Sequence, residues 1–277
     1  MTYLVIQGLE VETRDLKEIA KLSGASRIDN LGNNAFRLYD YKTEKGVADY
    51  CAKAKLDFAF VADPRKLSSF RLLVLDMDST LITIETIDEL ADLVGRKPEV
   101  AAVTASAMRG EIEYDESLRK RVAVLKGLPE SALDLLYTER VRLSPGAERM
   151  IAGVKKAGLK ILLVSGGFTR ITDRLKARLS LDYVKANTLA VRDGKLTGEL
   201  VGRIVNADGK RDALLAARDE IGATKEQIIA IGDGANDLEF MGEAGVSIAY
   251  HAKPVVREKA AYCFDQAGLD GLLTLYA

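Results

Sequence analysis

Hydrophobic and polar positions follow one pattern in the first quarter of the chain and another in the rest. Up to about residue 63 the apolar stretches are short and flanked by polar residues. Tyr3-Leu-Val-Ile-Gln predicts a strand, and Glu12 to Leu22 predicts a helix with Leu16, Ile19, Ala20 and Leu22 along one stripe and Gly24 just beyond its end. Ser26-Arg-Ile-Asp and Ala35-Phe-Arg-Leu-Tyr flank Gly32-Asn-Asn, a turn sequence that favours a hairpin. A helix from about Glu44 to Lys55 and the strand Phe58-Ala-Phe-Val complete the order βαββαβ, that of a ferredoxin-like module over residues 1–63. Residues 64–70, opening on Asp63-Pro64, read as a linker.

From residue 71 to 277 the apolar runs are continuous. Arg71-Leu-Leu-Val-Leu-Asp, Lys160-Ile-Leu-Leu-Val-Ser and Gln227-Ile-Ile-Ala-Ile-Gly-Asp predict strands covered on both faces, as in a parallel sheet. Helical segments separate them, one expected to start at Ser144-Pro145 and stop near Gly158. The fold class is therefore α/β, an open sheet with helices on both faces. Two insertions interrupt it. Residues 87–139 are helical in pattern and too long for a loop, which predicts a helical cap. Leu189 to Leu200 carries Asp193-Gly194 between strand-like runs and predicts an antiparallel hairpin.

Composition narrows the function classes. Lys and Arg number 40 against 41 Asp and Glu, for a net charge of −1, which argues against broad capture of nucleic acid. A single histidine, His251, excludes designs that need two. Cys51 and Cys263 lack any zinc spacing, and a reduced, cytoplasmic protein is the simplest reading. No apolar run approaches the ~20 residues of a membrane span, so no membrane partner is expected.

The apolar strands end in polar residues: Asp76 and Asp78, Ser165, and Asp233 with Asp237. Strand ends of an open α/β sheet line its ligand crevice, so these groups are expected to converge. Four ionised acids need a counter-charge, and Mg²⁺ suits carboxylates together with a phosphate oxygen. A calcium loop starting at Asp76 fails, because Leu81 stands where glycine is needed and Ile87 where glutamate is needed. No P-loop occurs, and Gly232-Asp-Gly-Ala-Asn-Asp lacks the third glycine of a dinucleotide fingerprint.

Asp76-Met-Asp-Ser-Thr-Leu, Val164-Ser-Gly-Gly, Lys210 and Gly232-Asp-Gly-Ala-Asn-Asp together resemble the four motifs of the haloacid dehalogenase superfamily of phosphohydrolases, most of all its phosphoserine phosphatase branch. The resemblance implies a Rossmann-like parallel sheet with a helical cap, and hydrolysis of O-phospho-L-serine with Mg²⁺. It implies Asp76 as nucleophile, forming an aspartyl-phosphate, and Asp78 as general acid and base. Mg²⁺ would bind Asp76, the backbone carbonyl of Asp78, and Asp233. Ser165, Gly166, Lys210 and Asn236 would hold the phosphoryl group, with Asp237 supporting the metal and the lysine. Glu85 would take the substrate ammonium and Arg121 its carboxylate, with Met108 and Tyr114 packing around it.

Other readings stay open for some of these residues. Ser165 is also placed to cap a helix near Thr169, and Lys210 beside Arg211 and Arg121 beside Arg119-Lys120 also fit solvated basic faces. The N-terminal module resembles ACT-type amino-acid-binding domains, but its loop Gly8-Leu-Glu-Val-Glu-Thr lacks the Pro-Gly of ligand-binding members; a regulatory or homodimerising role is expected. Two further functions share these motifs: a phosphotransferase moving the phosphoryl group to another alcohol, and an amino-acid-sensing binding protein.

Overall fold

A computed structural model describes residues 2–32 and 34–276, leaving aside the side chain of Met108. The chain begins with β1 (Tyr3–Gln7), α1 (Thr13–Ser23), β2 (Arg27–Gly32), β3 (Ala35–Tyr39), α2 (Val47–Ala54) and β4 (Asp57–Val61). The strands form an antiparallel sheet in the order β2-β3-β1-β4, the ferredoxin-like arrangement expected from the pattern; Asn33 in the expected turn lies outside the described residues. Alternation along β1 sends Leu4 and Ile6 to the helices, while Tyr3 and Val5 join the main core of the protein.

The rest of the chain is β5 (Leu72–Asp76), α3 (Thr86–Leu93), α4 (Lys97–Met108), α5 (Tyr114–Val124), α6 (Ser131–Glu139), α7 (Ala147–Lys156), β6 (Lys160–Phe168), α8 (Thr169–Leu179), β7 (Tyr183–Arg192), β8 (Lys195–Val201), α9 (Ala207–Glu220), β9 (Ile228–Gly232), α10 (Leu238–Gly242), β10 (Val246–Tyr250), α11 (Pro254–Arg257), β11 (Tyr262–Phe264) and α12 (Gly271–Leu275). A second sheet runs β11-β10-β9-β5-β6-β7-β8, parallel except for β8 at its edge. Strand β5 is central. Its Leu73 and Leu75 enter one core cluster and Leu72 and Val74 the other, which is why the strand reads as an unbroken apolar run.

Four helices, α3 to α6, fill the segment between β5 and α7. They are clasped by the β7–β8 hairpin: Gly127 N–H donates to Leu196 O and Leu196 N–H to Leu128 O, both at 2.8 Å. Asp193 and Gly194 at the hairpin tip have φ of 50° and 71°, the left-handed pair of a two-residue turn. Helix α7 starts at Ala147, later than Ser144-Pro145 suggested. Pro145 O accepts from Leu269 N–H at 2.8 Å, and a Cβ at Gly146 would lie 2.0 Å from Asp270. That contact holds the chain in a turn before the helix can begin.

The two sheets are joined by buried polar contacts as well as apolar ones. Tyr3 Oη donates to Leu275 O at 2.5 Å, Arg37 to Thr274 O at 3.1 Å, and Thr274 Oγ1 to Gln7 Oε1 at 2.7 Å. The buried Asp57 carboxylate accepts the N–H groups of Asp265, Gln266 and Ala267 at 2.8–3.0 Å. Residues 64–70 take part: Leu67 N–H donates to Tyr276 O, and buried Phe70 meets the Tyr276 ring edge-on at 4.9 Å. No helix among the described residues is long and apolar enough to cross a membrane.

Candidate active site

Strands β5 and β9 are neighbours, but the chain leaves β5 for β6 on one side and returns to β9 on the other. Their carboxyl ends flank a topological switch point, where an open α/β sheet leaves a crevice. Asp76 ends β5 and Asp233 follows β9, so both carboxylates arrive there.

Asp76 is 5% exposed and meets Lys210 Nζ through Oδ1 at 2.5 Å. Lys210 comes from the first turn of α9 and is fully buried. Its ammonium also lies 2.7 Å from Asp237 Oδ1. Burial opposes the charge on Lys210, but Asp237 and Asp76 outweigh it and hold the ammonium above its ordinary range. Burial raises Asp76; Lys210 pulls it back, and Asp237 and Asp233 add to the rise. Asp237 is fully committed, since its Oδ2 accepts the N–H groups of Asp233 and Gly234 at 3.0 Å.

Asp76, Asp233 and Asp237 offer oxygens within 4.8 Å of one another around the Lys210 ammonium. Burial, then Asp237 and Glu85, pushes Asp233 up to about 6. Among the described residues, Asp233 Oδ1 receives only Thr80 Oγ1, at 3.3 Å. The surplus of negative charge and the hard oxygen donors fit a divalent cation.

After Asp76 the chain turns sharply, with Ser79 at φ 56°. This turn brings Asp78 to the start of α3, where its Oδ2 accepts Thr86 Oγ1 at 2.9 Å and Thr86 N–H at 3.3 Å. Its Oδ1 has no hydrogen-bond partner among the described residues. Burial, then the charge of Glu85, pushes Asp78 up to about 8. Burial raises both carboxyls, but their surroundings differ: Asp76 is paired to the Lys210 ammonium, and Asp78 lies beside the charge of Glu85.

Ser165 and Gly166 lie in β6, where the strand bulges against β7. Ser165 Oγ accepts Gly167 N–H at 2.8 Å and does not cap α8. A Cβ on Gly166 would lie 2.3 Å from the Tyr114 hydroxyl, so only glycine lets α5 close this far onto the loop. Asp76, Asp78, Glu85, Tyr114, Arg121, Ser165, Gly166, Lys210, Asp233 and Asn236 all line one cleft of about 480 Å³. Glu85 is exposed and accepts Ser79 Oγ at 2.7 Å, while Arg121 Nε is buried without a hydrogen-bond partner among the described residues. Met108 ends α4, and its side chain is outside what is described.

Several residues of the site carry no sequence signal of their own. Thr86 fixes Asp78, Asp88 adds a further acid to the cleft wall, and Lys253 contributes a cation to its lining. Asn206 caps α9 by accepting Gly209 N–H at 3.0 Å and also donates to Asp115 of α5 at 3.1 Å, tying the cap to the helix of Lys210. Asn187 reaches the Gly166 carbonyl from β7. Such polar residues are ordinary strand and turn punctuation until the fold shows what they touch.

A buried carboxylate on an ammonium, an adjacent protonated carboxyl and a hydroxyl on a glycine loop are the equipment of nucleophilic phosphoryl transfer. The haloacid dehalogenase-like hydrolase family matches residues 73–242, and a domain of unknown function matches residues 4–43. A phosphoserine phosphatase of Polaromonas sp. is 55% identical over 215 residues, 76% of this chain and 91% of that protein. Among solved structures, a probable phosphoserine phosphatase from Vibrio cholerae, unliganded, is 36% identical with a TM-score of 0.87, covering 99% of this chain and 86% of its own. A HAD family hydrolase from Salmonella enterica serovar Typhi is 31% identical with a TM-score of 0.90, covering 99% and 98%. With this family matching more than half of the chain and a relative 55% identical over 76% of it, the chain belongs to the haloacid dehalogenase-like hydrolase family.

Proposed function

We propose that this protein is a Mg²⁺-dependent phosphoserine phosphatase, hydrolysing O-phospho-L-serine to L-serine and phosphate. The observation that carries the proposal is one cleft holding both the Asp76–Lys210 pair and, on its cap side, Glu85 and Arg121 of opposite charge. Phosphoserine presents a phosphate, an ammonium and a carboxylate, which these groups complement. The relatives named phosphoserine phosphatase support the same substrate.

An Asp76 oxygen attacks phosphorus while the bond from phosphorus to the serine oxygen breaks. Asp78, protonated at neutral pH, gives its proton to that departing oxygen. Asp78, now ionised, takes a proton from the water that attacks phosphorus and releases Asp76 from the aspartyl-phosphate. Lys210, the Ser165 hydroxyl and the Gly166 N–H hold the phosphoryl oxygens, with Asn236 beside them. Asp76, Asp233 and the Asp78 carbonyl would hold Mg²⁺, which when bound neutralises the surplus of carboxylates and phosphoryl charge. Arg121 takes the substrate carboxylate and Glu85 its ammonium; Tyr114, and Met108 at the end of α4, close around it. Two free cysteines fit a reducing cytoplasm, and the outer edge of β2, unpaired among the described residues, is where a homodimer would form through the N-terminal module.

Asp76→Asn should abolish turnover. Acid quenching of the wild type during turnover should leave a phosphate adduct on the peptide containing Asp76, seen by mass spectrometry. Normal activity in Asp76→Asn, or an adduct elsewhere, would overturn the assignment. Phosphorylated products with added alcohols in place of free phosphate would favour the transferase reading.

A further inference from the structure

Three residues of β6 fall out of step with β7. Val164 pairs with Lys185 and Phe168 with Asn187, so Ser165, Gly166 and Gly167 face a single residue between those partners. A bulge removes backbone groups from the ladder, and buried ones then need other partners. Two side chains supply them. The Gly166 carbonyl accepts Asn187 Nδ2 at 2.8 Å, and Gly167 N–H donates to Ser165 Oγ at 2.8 Å. That carbonyl and that N–H belong to one planar peptide unit, which is therefore held at both ends.

Asn187 is itself 3% exposed, and its Oδ1 accepts Val205 N–H at 2.8 Å. One neighbour is a donor and the other an acceptor, so the side chain at 187 must accept from one and donate to the other, and the Asn187 amide does both in only one orientation. The consequence falls on Ser165. Its Oγ is fully buried and already accepts from Gly167, which leaves its own proton for an acceptor in the cleft. Bonds running in one direction from Val205 through Asn187 and the peptide to Ser165 also polarise one another.

We propose that Asn187 is a positioning residue for phosphoryl transfer: it locks the Gly166–Gly167 peptide so that the Ser165 hydroxyl donates to a phosphoryl oxygen. This rests on the phosphatase reading. Asn187 is not placed to touch substrate; it acts through Ser165. A leucine at 187 would leave a donor and an acceptor bare, and an aspartate would set its carboxylate against the Gly166 carbonyl.

The test is a mutant cycle in the full-length protein with Mg²⁺ and phosphoserine: Asn187→Asp, Ser165→Ala and both together, each with its Tm. Wild-type turnover is measured first; a wild type inactive on every phosphomonoester would overturn the phosphatase reading and this inference with it. With an active wild type, Asn187→Asp should stay folded and lose about 10–100-fold in kcat, with a smaller change in KM. The double variant should lose no more than the larger single loss, because both changes disable the same hydroxyl. Losses that multiply, or wild-type kcat in Asn187→Asp, would overturn the role. Should Asn187→Asp not fold at the assay temperature, Asn187→Ser replaces it in the same cycle, with the same outcomes decisive.

Discussion

Replacing Lys210 by methionine keeps the length of the side chain and removes its charge. The ammonium is fully buried and sits 2.5 Å from Asp76 and 2.7 Å from Asp237, so the variant leaves two carboxylates facing each other without a cation. Breaking a buried ion pair from one side costs about 3–5 kcal/mol, most of it the uncompensated charge left behind. Unfolding entropy of about 2.1 cal/mol/K per residue over 277 residues converts this to a fall in Tm of roughly 5–9 °C. The deficit has a pH signature. Without Lys210 the Asp76 carboxyl loses the charge that pulls it down and is pushed further above its ordinary range, so the folded variant holds a proton that the unfolded chain releases. Its deficit relative to wild type should therefore be larger at high pH than at low pH. Adding Asp237→Asn removes one of the two uncompensated buried charges and should recover part of the loss. Turnover should fall by at least about 10²–10³-fold, because a fixed charge on the phosphoryl oxygens is lost. Differential scanning calorimetry at pH 5 and pH 8, with steady-state kinetics, reads all of this. A Tm within about 1 °C of wild type at both pH values, with kcat preserved, would refute the placing of a charged lysine between two carboxylates.

Arg121→Ala should lower kcat/KM for phosphoserine by about 10–100-fold while an aryl phosphate loses far less; equal losses would make the arginine structural. Burial and the charge of Glu85 push Asp78 up to about 8, against about 4 in an unfolded chain, so without metal the folded state holds its proton more tightly and should lose stability as pH rises through that window. Asp78→Asn should thus be inactive yet melt higher than wild type at pH 8 in chelator, with no such gain at pH 4. No difference between the two pH values would contradict the raised carboxyl. Asp57→Ala strips the partner from three backbone N–H groups and should cost about 2–4 kcal/mol in thermal unfolding, with kcat unchanged. For the same reason, deleting residues 1–68 should give a chain that aggregates or melts far lower; a remainder as stable as the full protein would show that the shared core is dispensable.

Much of the fold was legible because burial on both faces writes a simple signal. Leu72 to Leu75 and Ile228 to Ile231 are continuous apolar runs, and their ends carried the acids of the site. The hairpin at Asp193-Gly194 was legible because few residues tolerate its left-handed turn. What was hidden depends on partners distant in sequence. Asp57 carries no signal of its own in the sequence, because the N–H groups it accepts lie in a loop at 265–267. Pro145 promised a helix start that its contact with Leu269 postpones. Asn187 and Thr86 are unremarkable in the sequence, because a second layer of hydrogen bonds is set by geometry and has no required spacing along the chain.

The most direct measurement is phosphate release from L-phosphoserine, with and without Mg²⁺, set against a small panel of other phosphomonoesters. Selective, Mg²⁺-dependent release from phosphoserine is the expected result, joining the Asp76 chemistry to recognition by Glu85 and Arg121. Release from the other esters but not from phosphoserine would contradict the substrate, and no release from any of them would contradict the phosphatase itself.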